Sequence, residues 1–258
     1  MVLFPAILDD WLMRRKIDAE VPPAFFGMVE NFIWAKPTTP PLFIAAYVDS
    51  GTLIESDLSY CLPTAELAKA ALLANPAERR HFLIRRCFQR LFACLVVGWN
   101  ASPKELRLEH QLDTRPKCLD FPKLRLSFST SGNTAVACAC ETHDVGIDVE
   151  RIRVIENVDQ LARRFFSPKE ADVIAAMPLD EQSHHFLLHW TAKEAGLKAI
   201  GQGIFFGLNA FCLQRQPPNI TYSIIGPSEI DATWALQNFD ILPSHVIALI
   251  KKNSVDNS

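Results

Sequence analysis

The spacing of apolar residues switches from helical to alternating, back to helical, and to alternating again, and that order constrains the fold more than any other feature. Residues 41–48 form an unbroken apolar run that reads as a buried strand. A helix is expected from residue 63 to about residue 74. The chain restarts at Asn75-Pro76, with Asn75 as cap and Pro76 at the first helical position, and that helix reaches about Val97. Phe82, Leu83, Cys87, Leu91 and Cys94 make its apolar side, with Arg79, Arg80, Arg85, Arg86 and Arg90 between them. From Leu106 the period drops to two. Residues 124–129 and 134–141 read as strands about a turn at 129–133, and 145–151 as a third strand, which together predict an antiparallel meander. Ser167, Pro168 and Glu170 then open a helix with a capping box. A further helix over 180–199 stops at Gly201-Gln202-Gly203, and four short strands follow at 210–214, 220–225, 232–239 and 244–250. Helices and antiparallel strands kept apart in this way define an α+β fold. The order fits two similar halves, 1–150 and 151–258, with the third strand closing the first half.

Composition removes several function classes. The net charge is −3, with 26 basic and 29 acidic residues, which argues against a general nucleic-acid binder. No segment approaches the roughly 20 apolar residues of a membrane helix. The apolar Val2, Leu3 and Phe4 meet Asp9 and Asp10 at once, unlike a secretory signal, so a cytoplasmic protein is expected. The first forty residues read as irregular and the polar tail 253–258 as disordered. The seven cysteines include no C-x-x-C and are expected to be reduced, mostly core, residues.

Two segments carry chemistry. In a strand over 145–150, Val145, Ile147 and Val149 share one face, and Asp148 and Glu150 share the other, about 7 Å apart. Such a pair suits a hard dication with oxygen ligands, or else a solvated edge. On a helix, Trp190, Glu194 and Lys198 lie four apart and form one stripe. Glu194 there is a metal ligand or a general base and Lys198 a partner for a phosphate, or the two are an ordinary surface ion pair. His184, His185 and His189 lack the glutamate of a zinc-protease helix. Gly201-Gln202-Gly203 lacks the Lys-Ser/Thr of a phosphate loop and reads as a helix stop.

Three blocks in order, Gly146-Ile147-Asp148-Val149-Glu150, then Phe166-Ser167 with Glu170, then Trp190-Thr191-Ala192-Lys193-Glu194 with Lys198, resemble the signature of the Sfp-type 4′-phosphopantetheinyl transferases. The likeness covers roughly residues 113–200. It implies a pseudo-dimer of two α+β halves with the active site between them, and transfer of the phosphopantetheine arm of coenzyme A to a serine of an apo acyl, polyketide or peptidyl carrier protein. It implies Asp148, Glu150 and Glu194 as ligands of magnesium, or of manganese in its place. Glu194 doubles as general base, and Lys198 lies near the α-phosphate with Lys193 beside the glutamate. Arg115-Pro116 matches the element that contacts the nucleotide, and Ser129 the first serine of a Ser-His-Ser turn. Thr130 stands where that turn has histidine, which removes a charge from the 3′-phosphate site, and Thr114 stands where glycine is preferred. Arg80 and Arg86 are the basic candidates to compensate, with His81 in the same register.

The nucleophile then belongs to the partner, consistent with the lack of a Ser-His-Asp pattern. Arg163, Arg164, Phe165, Phe166 and Lys169 offer a basic and apolar surface for an acidic carrier, although the two phenylalanines also suit the core. The length resembles the branch of the family that acts as a monomer. Two alternatives stand beside this reading. One is a metal-dependent phosphodiesterase, for which no further Asp/His cluster is seen. The other is a degenerate member that binds coenzyme A or a carrier without turnover, which Thr130 alone favours.

Overall fold

The structure is a computed structural model that describes residues 28, 32–34, 42–98, 102–109, 114–201, 207–210, 212–216, 221–225, 234–238 and 242–252. The expectations for most of the first forty residues and for the tail 253–258 fall outside the described residues.

A six-stranded antiparallel sheet has the order β1-β2-β6-β5-β4-β3, with β1 Ile33–Trp34, β2 Leu42–Val48, β3 Leu108–Glu109, β4 Lys117–Cys118, β5 Arg125–Ser131 and β6 Thr134–Cys140. Among the described residues three helices accompany it: α1 Glu55–Ser59, α2 Thr64–Ala71 and α3 Pro76–Val96. Asn75 caps α3 as its sequence requires, accepting the Ala77 N–H at 2.9 Å, with Pro76 at the first turn. Helix α3 lies across one face of this sheet. Its Leu83, Cys87, Phe88, Leu91 and Phe92 are buried against Tyr47, Leu126, Phe128 and Ala137.

A second sheet has the order β10-β11-β7, with β7 Val145–Arg151, β10 Trp234–Asn238 and β11 His245–Lys252. Strands β8 Cys212–Gln216 and β9 Thr221–Ile225 form a separate hairpin. Helices α4 Val158–Phe165, α5 Pro168–Ala175 and α6 Leu179–Ile200 complete this part. The expected capping box of α5 is present: the Glu170 carboxylate accepts the Ser167 N–H at 3.0 Å and the Ser167 hydroxyl accepts the Glu170 N–H at 3.4 Å. Gly201 ends α6 in the left-handed conformation, φ 73°, as the helix-stop reading requires.

The sheets pack face to face. Leu42, Ile44, Val136 and Cys138 of the first meet Val145, Ile147, Val149 and Leu249 of the second. Outside this shared core lie α3 on one side and α4–α6 on the other, giving four layers, α-β-β-α. The alternation read in 145–150 holds: Val145, Ile147 and Val149 enter the inter-sheet core, and Asp148 and Glu150 are turned away from it.

Two expectations are corrected. Strand β7 does not extend the β5–β6 hairpin into a meander, and it does not close the first half by backbone pairing. It pairs along its length with β11, Asp148 opposite Ala248 and Glu150 opposite Val246. The reason is the face it presents. Its three apolar side chains complete the inter-sheet core, and they do so only from the second sheet.

Candidate active site

Helix α6 settles unusually close onto β7. A Cβ on Gly146 would stand 1.9 Å from the Ala195 carbonyl oxygen and 2.5 Å from the Ala199 nitrogen, so only glycine fits there. This contact brings the Glu194–Lys198 turn of the helix to the strand that carries Asp148 and Glu150. The stripe predicted on α6 divides in two. Trp190 packs among aromatics, 5.9 Å from the Phe186 ring and 5.4 Å from Phe165, while Glu194 and Lys198 face the acidic strand.

Asp148 is 5% exposed, and its Oδ1 accepts two hydrogen bonds: from Ser129 Oγ at 2.6 Å and from Lys198 Nζ at 2.7 Å. Glu150 Oε2 accepts from Ser131 Oγ at 3.3 Å and from Arg153 Nη1 at 2.9 Å. Glu194 is half-buried. Burial, reinforced by Asp148 and Glu150 and relieved by Lys198, raises its carboxyl from the ordinary 4.5 to about 7. Asp148, Glu150, Glu194, Ser129 and Lys198 are therefore one site, at the seam where β5, β7 and α6 meet.

Ser131 and Arg153 belong to this site and were not anticipated. The signal was available for the serines: Ser127, Ser129 and Ser131 alternate on one face of β5. Ser127 Oγ accepts the Ile147 N–H and Ser131 Oγ the Arg151 N–H, both at 3.1 Å. Thr130 points the other way, into a hollow of about 380 Å³ lined also by Arg80, His81, Arg85 and Asn133. Arg80 is held there by Asp49, at 3.0 Å, and by the Leu53 carbonyl. Thr130, Arg80 and His81 thus line one hollow, with the Arg85 guanidinium over the Phe82 ring at 5.7 Å. Arg115 lines a second hollow, of about 570 Å³, with Pro116, Lys117, Arg125 and Gly201. Its guanidinium ties the halves together, pairing with Asp144 at 2.5 Å and donating to the Ala199 carbonyl at the end of α6.

Two proposed ligand-binding residues are corrected. Arg86 is 7% exposed and points into a buried network, pairing with Glu66 at 2.5 Å and donating to Gln89. Arg90 shares the same glutamate at 2.8 Å. Arg86 thus spends its charge on a buried carboxylate and does not line the hollow of Thr130, Arg80 and His81. Lys193 is wholly buried, 2.8 Å from both Glu170 Oε2 and the Leu208 carbonyl oxygen, with the Phe166 ring 5.4 Å away. Burial raises the Glu170 carboxyl, but Lys193, the Leu213 N–H and Ser167 outweigh it and hold it below the usual range. The Phe166-Ser167-Glu170 block and Lys193 are thus one structural knot joining α5, α6 and β8. Phe166 is 3% exposed and belongs to the core, while Arg163 is engaged by Asp159 and Asp172. All seven cysteines are free, six of them buried.

Whether these residues suit a metal is a matter of donors and charge. Three carboxylates offer hard oxygen ligands, and the upward push on Glu194 marks an excess of negative charge that a dication would relieve. Among the described residues no three acidic, cysteine or histidine side chains stand as a ready-made ligand set. The immediate reason is that Asp148 and Glu150 are turned to Lys198 and Arg153. The donor chemistry fits a hard dication.

One buried and two half-buried acids beside a lysine, flanked by a basic hollow, are suited to a substrate dense in phosphate. Comparison with known proteins agrees. The family model described as the 4′-phosphopantetheinyl transferase superfamily matches residues 144–250. A 4′-phosphopantetheinyl transferase of Bacillus pumilus, psf-1, is 34% identical over 67% of this chain and 74% of its own length. HetI, a 4′-phosphopantetheinyl transferase of Nostoc sp., is 33% identical over 57% of this chain and 63% of its own length. A putative 4′-phosphopantetheinyl transferase of Synechocystis sp. is 28% identical over 69% of this chain and 67% of its own length. The chain belongs to the 4′-phosphopantetheinyl transferase superfamily.

Proposed function

We propose that the protein transfers the 4′-phosphopantetheine arm of coenzyme A to a serine of an apo carrier protein, releasing adenosine 3′,5′-bisphosphate. The observation that carries this reading is the meeting of Asp148, Glu194 and Lys198 at the seam, in a chain of this family. The carrier serine oxygen attacks the phosphorus nearer the pantetheine. A new O–P bond forms, the bond to the bridging oxygen breaks, and its electron pair leaves with the adenosine 3′,5′-bisphosphate. Glu194, facing Asp148 and Lys198 at the seam, accepts the serine proton as general base. Lys198 offers its ammonium to the pyrophosphate, supplying charge where negative charge moves. The hollow of Thr130, Arg80, His81 and Arg85 suits the 3′-phosphate, with the arginines supplying charge that threonine lacks. The hollow beside Arg115 suits the adenosine.

Asp148, Glu150 and Glu194 would hold magnesium, which when bound withdraws charge from the pyrophosphate oxygens. The division between the halves is best placed at residues 141–144, ahead of β7, because β7 pairs with β11. All the residues named come from one chain, which suits a monomer. Free buried thiols suit a reducing compartment such as the cytoplasm.

The test is intact mass measurement of an apo carrier protein incubated with coenzyme A, Mg²⁺ and this protein, beside Asp148→Ala. A phosphopantetheine mass gain, lost in the variant and with EDTA, is the expected result. Coenzyme A binding without a gain on acyl, polyketide or peptidyl carriers refutes transfer and leaves a binding protein.

A further inference from the structure

We propose that Lys198 is the resident counter-ion of the acidic site, holding the dication's place at Asp148 until a phosphate-bearing substrate draws the ammonium away. The proposal rests on the function proposed above. A buried carboxylate needs compensation, and Asp148 receives it through one oxygen, shared by Ser129 and Lys198. Among the described residues Asp148 is the only ion-pair partner of Lys198. The lysine side chain is 29% exposed, against 7% for that of Asp148, so the ammonium reaches the acid from the open side of the cleft. It contrasts with Lys193, one turn away and wholly buried in its pair with Glu170. A four-carbon stem with a point charge at its tip can change partners without moving the helix.

Glu150 is treated likewise, more weakly: Arg153 covers its outer oxygen, but the arginine is 52% exposed. Both carboxylates are thus charge-compensated by cations of their own chain. A dication arriving alone must displace Lys198 from Asp148 or tolerate an ammonium beside it. A dication arriving with a pyrophosphate meets no such opposition, because the phosphate oxygens give the ammonium a new partner. Metal and coenzyme A then bind with positive coupling, and by linkage each tightens the other equally.

The test measures Mn²⁺ affinity by electron paramagnetic resonance, with and without coenzyme A and with no carrier present, so that no turnover occurs. In the wild type, coenzyme A should tighten Mn²⁺ about tenfold or more. In Lys198→Met, Mn²⁺ alone should bind about fivefold or more tighter than to the wild type, and coenzyme A should add less than about threefold. Lys198→Gln, which keeps a polar group of similar reach, should behave as Lys198→Met. Arg153→Gln should shift bare Mn²⁺ affinity by less than about threefold, as an exposed pair does. Equal or weaker bare Mn²⁺ binding in both lysine variants, with normal coupling in the wild type, overturns the counter-ion and leaves the transferase reading standing. No Mn²⁺ binding to any of them, even with coenzyme A, overturns both.

Discussion

Replacing Glu194 by Gln should make the metal-free protein more stable at alkaline pH while abolishing transfer. The carboxyl titrates at about 7 in the folded chain against an ordinary 4.5, because burial and the neighbouring Asp148 and Glu150 oppose its charge. A folded pKa above the unfolded one means that the native state binds the proton more tightly. That stabilisation is complete below about pH 4.5 and is lost as the pH rises through 7. The difference corresponds to about 3 kcal/mol. Solvent access to a half-buried group reduces this to about 2 kcal/mol. Glutamine carries no such penalty. The variant should therefore gain about 2 kcal/mol on the wild type between pH 5 and pH 8. For a chain of this size that is a relative rise of about 5 °C in melting temperature. Thermal unfolding in EDTA, followed by tryptophan fluorescence at half-unit steps of pH, reads it directly. Adding Mg²⁺ at pH 8 should narrow the gap by stabilising the wild type. Wild-type and variant curves that run parallel from pH 5 to pH 8 would refute the argument, since Glu194 would then not be held near neutrality.

Three further outcomes follow from the packing. Gly146→Ala forces α6 off β7 and should cost about 3 kcal/mol by urea unfolding, with transfer lost even where the fold survives. Lys193→Met leaves Glu170 buried without its cation and should cost roughly 3–5 kcal/mol, whereas Arg163→Met, in an exposed pair, should cost less than about 1 kcal/mol. Thr130→His adds a titratable cation beside Arg80 and His81 and should tighten coenzyme A several-fold at pH 6 but little at pH 8, measured by calorimetry.

Local signals carried most of the fold. The capped start of α3, the capping box of α5, the glycine stop of α6 and the alternation of β7 are all short-range patterns, and each appears in the structure. What the pattern along the chain did not hold was the pairing of β7. Alternation says which side chains share a face, but not which strand lies alongside, and β11 is about a hundred residues away. The site was legible on the same terms. Asp148, Glu150, Glu194 and Lys198 were singled out by residue type and spacing with ordinary alternatives left open, and took their roles from the family resemblance; in the structure they meet at the seam. Lys193 and Arg86 were misplaced because a cation's type does not reveal its burial. Their partners Glu170 and Glu66 lie about twenty residues away and are recognisable only once the helices are packed. Arg153 escaped notice because an exposed arginine after a strand carries no pattern of its own.

The pairing of β7 has a last consequence, for how the protein behaves in a crowded solution. One side of the strand is hydrogen-bonded to β11, and the other would ordinarily expose backbone N–H groups to any passing extended chain. Here Ile147 and Arg151 donate instead to the hydroxyls of Ser127 and Ser131. A foreign strand would have to unseat both and approach two carboxylates besides. The serines that frame the site thus also guard against edge-to-edge aggregation.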